Sequence, residues 1–292
     1  MKSKKFELLA LPPTENIDEI TKGMPIEVTK AYYSSLEFCF NNDIVSILFE
    51  DRDLKTFSFV WLSSSWETRD LATSVKLYLE KYSVPHSFVE QSTSKITDSM
   101  HFVLNKIPYP STYYIETINT LDHLDAIEKV CGFPLIMKDS KGFGGNGLTF
   151  IDSKGKLIDT IQQRNGNKRY LFQKFIPNDY DWGILVADNK VLSAEKSFPQ
   201  KGEFRNNACA GASEVFVNIK DVPEDVKDIA LQATRILGLQ WSRADILIDR
   251  ISGLPYLLEV NRFPGTTSGS TEITGASIFV KNFLESCNET IS

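Results

Sequence analysis

Ala244-Asp245-Ile246-Leu247 and Leu258-Glu259-Val260-Asn261 are the two runs that decide the interpretation of this chain. Each run is short, apolar and rich in residues that favour strands, and the turn-forming segment 250–255 lies between them. We therefore predict a β-hairpin in which the first run pairs with the second.

The predicted hairpin brings oxygen ligands together. With its turn centred near Ser252, Asp245 lies opposite Glu259, and Asn261 shares the face of Glu259 because side chains alternate along a strand. Two carboxylates and an amide in an apolar sheet are unfavourable unless a cation lies between them. Such hard ligands suit Mg²⁺ bound together with substrate phosphates. The alternative is a pair of solvated acidic residues on an edge hairpin, and the hairpin alone leaves both interpretations open.

A glycine-rich segment upstream favours the metal interpretation. The apolar strand 133–138 ends in Lys138, the loop 139–147 follows, and a second strand covers 148–151. Glycines let backbone N–H groups approach an anion, and Lys138 would supply a point charge for a phosphate. The segment is neither a Walker loop nor a Rossmann fingerprint, since a strand and not a helix follows it. An ordinary hairpin loop is the alternative for this segment alone; with the downstream carboxylates it predicts a nucleotide site.

The composition excludes several classes of protein. With 42% hydrophobic and 24% charged residues, the chain is typical of a folded globular protein. No apolar run approaches the ~20 residues of a membrane span, and the net charge of −6 argues against a nucleic-acid or acidic-membrane partner. The four cysteines and three histidines are scattered, which indicates neither a disulfide framework nor a zinc site. We therefore expect a protein of the reducing cytoplasm.

We expect two domains, an N-terminal α/β unit at 1–92 and a second unit at 93–292. In the first, strands are predicted at 44–49 and 57–62, followed by a helix over 67–82 with Ser65 as its N-cap. The elements predicted for the second are helices at 95–104, 121–130 (capped by Thr120) and 222–237, strands at 113–115, 170–176, 184–187 and 191–194, and a short C-terminal helix.

This order of residues resembles the ATP-grasp superfamily, and within it the RimK-like carboxylate–amine ligases. The resemblance covers roughly residues 60–275. It rests on the lysine and glycine loop at 138–147, the Phe-Arg-x-Asn motif in 202–207, and the metal-binding pair formed by 244–247 and 259–265. It implies an α/β (α+β) ATP-grasp fold, in which the 1–92 unit precedes two α+β subdomains that clasp the nucleotide, with a lid at about 106–174.

The resemblance also implies the chemistry and the residues that perform it. A substrate carboxylate attacks the γ-phosphate of ATP to give an acyl phosphate and ADP, and an amine then displaces phosphate to form an amide. Asp245, Glu259 and Asn261 would bind one or two Mg²⁺, or Mn²⁺ in its place, and Arg205 and Asn207 would be catalytic. The residues implied to bind the nucleotide are Lys95, Lys138, Gly142, Gly144, Gly145, Gly147, Gln173, Lys174, Phe175, Ile176 and Asp181.

Four positions depart from the family pattern. Lys174 replaces an acidic residue, Gly183 and Ala210 stand where basic residues are expected, and Ala212 replaces a glycine. The changes at Gly183 and Ala210 remove positive charge from the side where an acceptor would bind. We therefore do not expect the addition of glutamate to an acidic peptide tail.

The leading hypothesis is a ligase that joins a small-molecule or peptide carboxylate to an amine. The resemblance is also compatible with a homo-oligomer. A variant is an enzyme that joins side chains within a precursor peptide docked on the aromatic N-terminal unit (Tyr32, Tyr33, Phe38, Phe40). An inactive nucleotide-binding protein and a kinase are alternatives from other classes. Trp182 and Trp241 are predicted to be core or interdomain residues.

Overall fold

The computed structural model describes residues 6–41, 44–87, 94–142, 147–164, 168–206 and 210–289. Its strands, in chain order, are β1 (Phe6–Leu11), β2 (Ile26–Lys30), β3 (Glu37–Asn41), β4 (Ile44–Phe49), β5 (Arg52–Asp53), β6 (Phe59–Leu62), β7 (Thr112–Tyr114), β8 (Leu135–Asp139), β9 (Leu148–Ile151), β10 (Tyr170–Lys174), β11 (Asp181–Ala187), β12 (Lys190–Phe198), β13 (Ser213–Val217), β14 (Trp241–Ile248) and β15 (Pro255–Asn261). Its α-helices are α1 (Ile17–Ile20), α2 (Arg69–Lys81), α3 (Lys95–Leu104), α4 (Leu124–Cys131), α5 (Lys154–Gln162), α6 (Glu224–Ile236) and α7 (Thr271–Glu289).

Two three-stranded sheets form the N-terminal part. One is parallel, in the order β2-β1-β6, and the other is antiparallel, in the order β3-β4-β5. Helix α2 packs its apolar stripe of Ala72, Val75 and Leu79 into the core that both sheets share. The predicted helix is therefore confirmed, but Ser65 does not cap it. The Ser65 N–H instead donates to the Thr68 hydroxyl, and the helix begins at the next residue.

Two antiparallel sheets form the remainder and carry the predicted site residues. The four-stranded sheet has the order β7-β10-β8-β9, and α4 and α5 cover one of its faces. The five-stranded sheet has the order β13-β12-β11-β14-β15, with α6 packed on one face. Its opposite face contacts α7 and the β2-β1-β6 sheet, so this face is turned toward the N-terminal part.

Three helices differ from the sequence prediction. The segment predicted as one helix over 121–130 is a 3₁₀ helix at Thr117–His123 followed by α4, and Thr120 is buried inside the 3₁₀ helix rather than capping an α-helix. Asp122 and His123, at the start of the predicted segment, have weak α-helix propensity. Helix α5 was not predicted, because Gly155 obscures its pattern; its cap is Ser153, whose hydroxyl accepts from the Lys156 N–H.

The C-terminal helix was predicted to be short but spans 19 residues. Gly275 reads as a helix breaker in the sequence, yet it lies where α7 crosses β12. A Cβ at this position would lie 2.8 Å from the Cβ of Leu192, so glycine permits the close approach. Among the described helices, none combines the length and apolarity needed to cross a membrane.

An aromatic cluster joins the N-terminal sheet, the five-stranded sheet and α7. The fully buried Phe279 stacks on Trp241 at 5.4 Å between ring centroids, and Trp61 meets Trp241 edge to face at 5.2 Å. Trp182 is buried on the opposite face of the five-stranded sheet, among α6 side chains. Both Trp182 and Trp241 are therefore core residues, as predicted.

We expect Phe279→Ala to lower the free energy of unfolding by about 3–5 kcal/mol, because it leaves a cavity between three packed elements. Ile278→Ala on the same helix is the matched control, since that side chain is 44% exposed, and we expect a change within about 0.5 kcal/mol. Urea unfolding measures both. Equal losses for the two variants would contradict the assignment of this cluster as a shared core.

Candidate functional site

A cleft lies between the four-stranded and five-stranded sheets. Lys138 and Gln173 line it from the first sheet, and Asp245 and Glu259 from the second. Its empty volume, which includes the solvent at the open mouth, is about 840 Å³. The cleft therefore brings polar groups from both sheets together in one open space.

The hairpin predicted from the sequence is present. Strands β14 and β15 pair in antiparallel fashion with Asp245 opposite Glu259, and a bulge follows Asp245. The Asn261 amide donates a hydrogen bond of 2.8 Å to Asp245 Oδ2, so the three predicted metal ligands lie together. Burial raises the pKa of Asp245 to about 7, and the like charge of Glu259 acts in the same direction, although Arg243 opposes both.

The donor set fits Mg²⁺ held jointly with a phosphate. Among the described residues, no three His, Cys, Asp or Glu side chains form a ready metal cluster. What the hairpin offers is two carboxylates and an amide. This set of hard oxygen donors is incomplete for Mg²⁺ alone and is completed in such sites by substrate phosphates and water.

Two lysines face these carboxylates. Lys138 lies near the end of β8, where burial lowers its pKa to about 8 although the nearby Glu259 and Asp245 raise it. Lys95 is the first residue of α3, and its ammonium group donates to the carbonyl oxygen of Gly142 at 2.6 Å. Positive groups on one side and negative groups on the other leave a gap suited to phosphate and a divalent cation.

The glycine loop is anchored at both of its described ends. Asp139 accepts from the Lys141 N–H at 3.0 Å and forms an ion pair with Lys168 at 2.8 Å. Gly147 has φ = +82°, and a Cβ there would lie 2.8 Å from the Cβ of Asp139, so this position requires glycine. Gly142 lines the cleft, whereas Gly144 and Gly145 lie outside the described residues.

The segment predicted to bind adenine follows β10 into the cleft. Gln173 is buried and its amide donates to Thr112 Oγ1 at 3.0 Å, while the side chain of Lys174 is exposed. Phe175 and Ile176 line the cleft next to them. The exposure of Lys174 is consistent with recognition through the backbone, for which the loss of the expected acidic side chain has little consequence.

Asp181, predicted to bind the nucleotide, and Arg205, predicted to be catalytic, differ in setting. Asp181 lies at the start of β11, where burial and the charge of Asp245 raise its pKa well above the usual value. Arg205 lines the cleft and is held by an ion pair with Glu203 at 2.7 Å. This pairing lowers the pKa of Glu203 to about 2. Asn207, the second predicted catalytic residue, lies outside the described residues.

A second, wider cavity adjoins the cleft. The residues that line both are Asp181, Asn206, Asp245 and Glu259. The other charged residues in the lining of the wider cavity are Glu15, Arg69, Glu214, Arg243 and Arg262. Asp245 and Glu259 therefore stand between the two cavities, which is where a group transferred from one ligand to another would have to pass.

A buried ion pair, not predicted from the sequence, fixes α3 against the hairpin. Arg262 follows β15 and donates to both carboxylate oxygens of Asp98 at 2.8 and 2.9 Å, with each residue at most 5% exposed. Asp98 lies one turn after Lys95 on α3. The pair therefore sets the position of Lys95 relative to Glu259. No sequence signal links Asp98 to Arg262, because the two are 164 positions apart.

We expect Asp98→Ala to cost about 3–5 kcal/mol of unfolding free energy, since it leaves the Arg262 charge buried without its main partner. The double variant Asp98→Leu/Arg262→Leu should recover much of this loss because no charge stays buried. The control is Asp179→Ala, whose partner is Arg250 and whose pair is about 60% exposed, with an expected cost of about 0–1 kcal/mol. Chemical unfolding measures all three, and a double variant less stable than Asp98→Ala would contradict this account.

Comparison with known protein sequences gives one family. Residues 93–281 match the model of the RimK-like ATP-grasp domain. The chain is 34% identical over 182 residues to a probable alpha-L-glutamate ligase of Parasynechococcus marenigrum (strain WH8102), which covers 61% of this chain and 37% of that protein. It is 30% identical over 218 residues to probable alpha-L-glutamate ligase 2 of Hahella chejuensis (strain KCTC 2396), covering 71% and 69% respectively. The chain thus spans about a third of the first relative's length and about two thirds of the second's.

Comparison with solved structures gives the same fold. D-alanine–D-alanine ligase from Bacillus anthracis matches with a TM-score of 0.67 at 17% identity, covering 98% of both chains. The ATP-grasp ligase PsnB, solved with a minimal precursor, matches with a TM-score of 0.69 at 16% identity, covering 97% of this chain and 99% of that one. The predicted ATP-grasp fold is confirmed by these likenesses.

Proposed function

The chain belongs to the RimK-like ATP-grasp family, a family of C–N bond-forming ligases, and from that premise we propose that it is an ATP-dependent carboxylate–amine ligase. Its reaction would pass through an acyl phosphate and release ADP and phosphate. The observation that carries the proposal is the cleft in which Lys95 and Lys138 face Asp245 and Glu259, with a second cavity adjoining it. Phosphoryl transfer depends mainly on such positioning and charge neutralisation.

Binding of ATP and Mg²⁺ is general in ATP-grasp proteins, and we assign the groups that would hold them here. Lys95 and Lys138 would neutralise the α- and β-phosphates, and the backbone of Lys174 and Ile176 would hold the adenine. Asp245, Glu259 and Asn261 would hold one or two Mg²⁺, which supply charge neutralisation for the phosphates when bound. We further propose a domain boundary near residue 92 and a lid at about 106–174, which carries Lys138 and would close over the nucleotide.

Arg205 is proposed to grip the reacting group. Its guanidinium presents a planar fork of donors that matches a carboxylate or phosphate. The Glu203 carboxylate pairs with this fork and also accepts hydrogen bonds from the backbone N–H groups of Phe204 and Arg205, at 2.9 and 3.1 Å. These bonds fix the carboxylate, and with it the guanidinium, at the edge of the nucleotide cleft. Asn207 would assist from the same segment.

A peptide is the second candidate substrate, and exposed aromatic side chains favour it. Of the four aromatic residues proposed to dock a peptide, Tyr32 is 59% and Phe40 is 75% exposed, whereas Tyr33 is buried. PsnB has been solved with a precursor peptide, which gives a precedent on the same fold. A homo-oligomer and a cytoplasmic setting stay predictions of the sequence.

We expect Asp245→Ala and Glu259→Ala each to lower the rate of MgATP turnover roughly 100-fold or more, because a lost metal carboxylate removes several kcal/mol of transition-state stabilisation. The control is Asp125→Ala, which removes a carboxylate with a 93% exposed side chain outside the cleft and should leave turnover unchanged. Unchanged turnover in either cleft variant would contradict the assignment of the metal ligands.

The reaction itself is tested by incubating the protein with MgATP and pooled carboxylates and amines, while ADP, AMP and phosphate are resolved. ADP and phosphate that appear only when an acid and an amine are both present would support the ligase. A stable phosphoester formed without an amine would point to a kinase instead. Tight MgATP binding without turnover in any pool, including pooled peptides, would favour a binding protein.

A further inference from the structure

Three carboxylates and a glycine lie in one row across the five-stranded sheet. Glu195 on β12 is opposite Gly183 on β11, Gly183 is opposite Asp245 on β14, and Asp245 is opposite Glu259 on β15. Residues that are directly opposite in an antiparallel pair project from the same face. The row therefore presents the two metal-site carboxylates and a third carboxylate, Glu195. Only Gly183, which has no side chain, lies between Glu195 and Asp245.

The guanidinium of Arg243 fills the gap above Gly183. A Cβ built on Gly183 would lie 2.4 Å from one terminal nitrogen of Arg243 and 2.7 Å from its Cζ, so any side chain at 183 would displace this group. Arg243 lies two residues before Asp245 on the same face of β14, and its side chain crosses diagonally onto β11. The present position of the Arg243 guanidinium therefore depends on the absence of a side chain at 183.

Arg243 contacts three acidic residues on three different elements. Its guanidinium donates to Glu195 Oε1, and it approaches Asp245 Oδ1 and Glu272 Oε1, each at 3.4 Å. Glu272 in turn accepts the N–H of Thr267 at 2.9 Å, within the loop that lines the wider cavity. The Arg243 side chain is 18% exposed and the Glu195 side chain only 1% exposed, so these contacts are mostly shielded from water.

We propose that Arg243 is the positioning residue for the metal ligand Asp245. It acts through the contact with Asp245 and by separating this carboxylate from Glu195. The inference rests on the proposed function, because it assigns a role around the same metal ligands.

The neighbouring strands make the pair exchangeable. In Gly183→Arg/Arg243→Gly, the arginine would be rooted between Glu195 and Asp245, the two carboxylates that its guanidinium contacts now. Its flexible stem can fold toward either one, and the glycine at 243 removes the competing side chain. Gly183→Arg alone would place two guanidinium groups in one gap, and Gly183→Ala would displace the Arg243 guanidinium without removing its charge.

The test measures Mg²⁺ affinity by calorimetry on protein saturated with ADP, together with ADP affinity in EDTA and thermal stability without ligands. We expect Arg243→Gly and Gly183→Ala to weaken Mg²⁺ binding about 10-fold or more, as is usual for groups that orient metal ligands. ADP affinity in EDTA should stay the same. The exchange variant should restore Mg²⁺ affinity to within about threefold of the wild type, a fraction of the 10–100-fold lost when an orienting group is removed. The control is Arg250→Gly, an exposed arginine in the turn after β14, which should leave all three quantities near their wild-type values.

Each outcome decides the matter. If Arg243→Gly and Gly183→Ala lower thermal stability but leave Mg²⁺ affinity unchanged, the residue is structural only and the proposal is overturned. If Arg243→Gly does not fold, Gly183→Ala and the exchange variant decide, and an exchange variant that also fails to fold or to bind Mg²⁺ overturns the proposal. Wild-type protein that binds no ADP with Mg²⁺ would instead overturn the proposed function, which separates the two failures.

Discussion

The arrangement of the site depends on how buried negative charge is held on one face of the five-stranded sheet. Glu195, Asp245 and Glu259 lie in one row, with Gly183 between Glu195 and Asp245, and Asp181 and Glu272 lie nearby. Like charges repel strongly where water is scarce, and burial raises the pKa of Glu195 to about 7. The sheet tolerates this row because cations approach it from two directions, Arg243 from within the sheet and Lys138 from across the cleft. A divalent cation would add a third.

The same constraint links the two sheets that bound the cleft. Lys138 belongs to the four-stranded sheet, whereas the carboxylates that it faces belong to the five-stranded one. Helix α3 contacts both, because Asp98 is tied to Arg262 after β15 while Lys95 reaches the carbonyl of Gly142 in the glycine loop. A polyphosphate between the lysines and the carboxylates would therefore be held by groups from both sheets. Binding and the approach of the two sheets would then favour each other, since each brings opposite charges together.

Local patterns in the sequence predicted the hairpin, and long-range geometry was beyond them. The pairing of Asp245 with Glu259 follows from a turn and an alternation within 20 residues, and the structure has it. The partnership of Gly183 with Arg243 depends on β11 lying beside β14, which only the strand order reveals. The position of Gly183 in the sequence indicated the loss of a positive charge. In the structure, the guanidinium of Arg243 occupies the space above Gly183. The Asp98–Arg262 pair was missed for the same reason, as neither residue has a local signal.

The position of the carboxylates between two cavities gives the fold its chemical consequence. The cleft with Lys95 and Lys138 suits a polyphosphate, and the adjoining wider cavity is lined by Arg243 and Arg262. In the proposed reaction, a group that leaves the nucleotide would have to pass Asp245 and Glu259 to reach an acceptor. Residues that orient these two carboxylates would then act on both half-reactions. Among the described ion pairs of Arg243, only the one with Asp245 involves a residue that lines the nucleotide cleft. A substitution at Arg243 would therefore affect both cavities through Asp245.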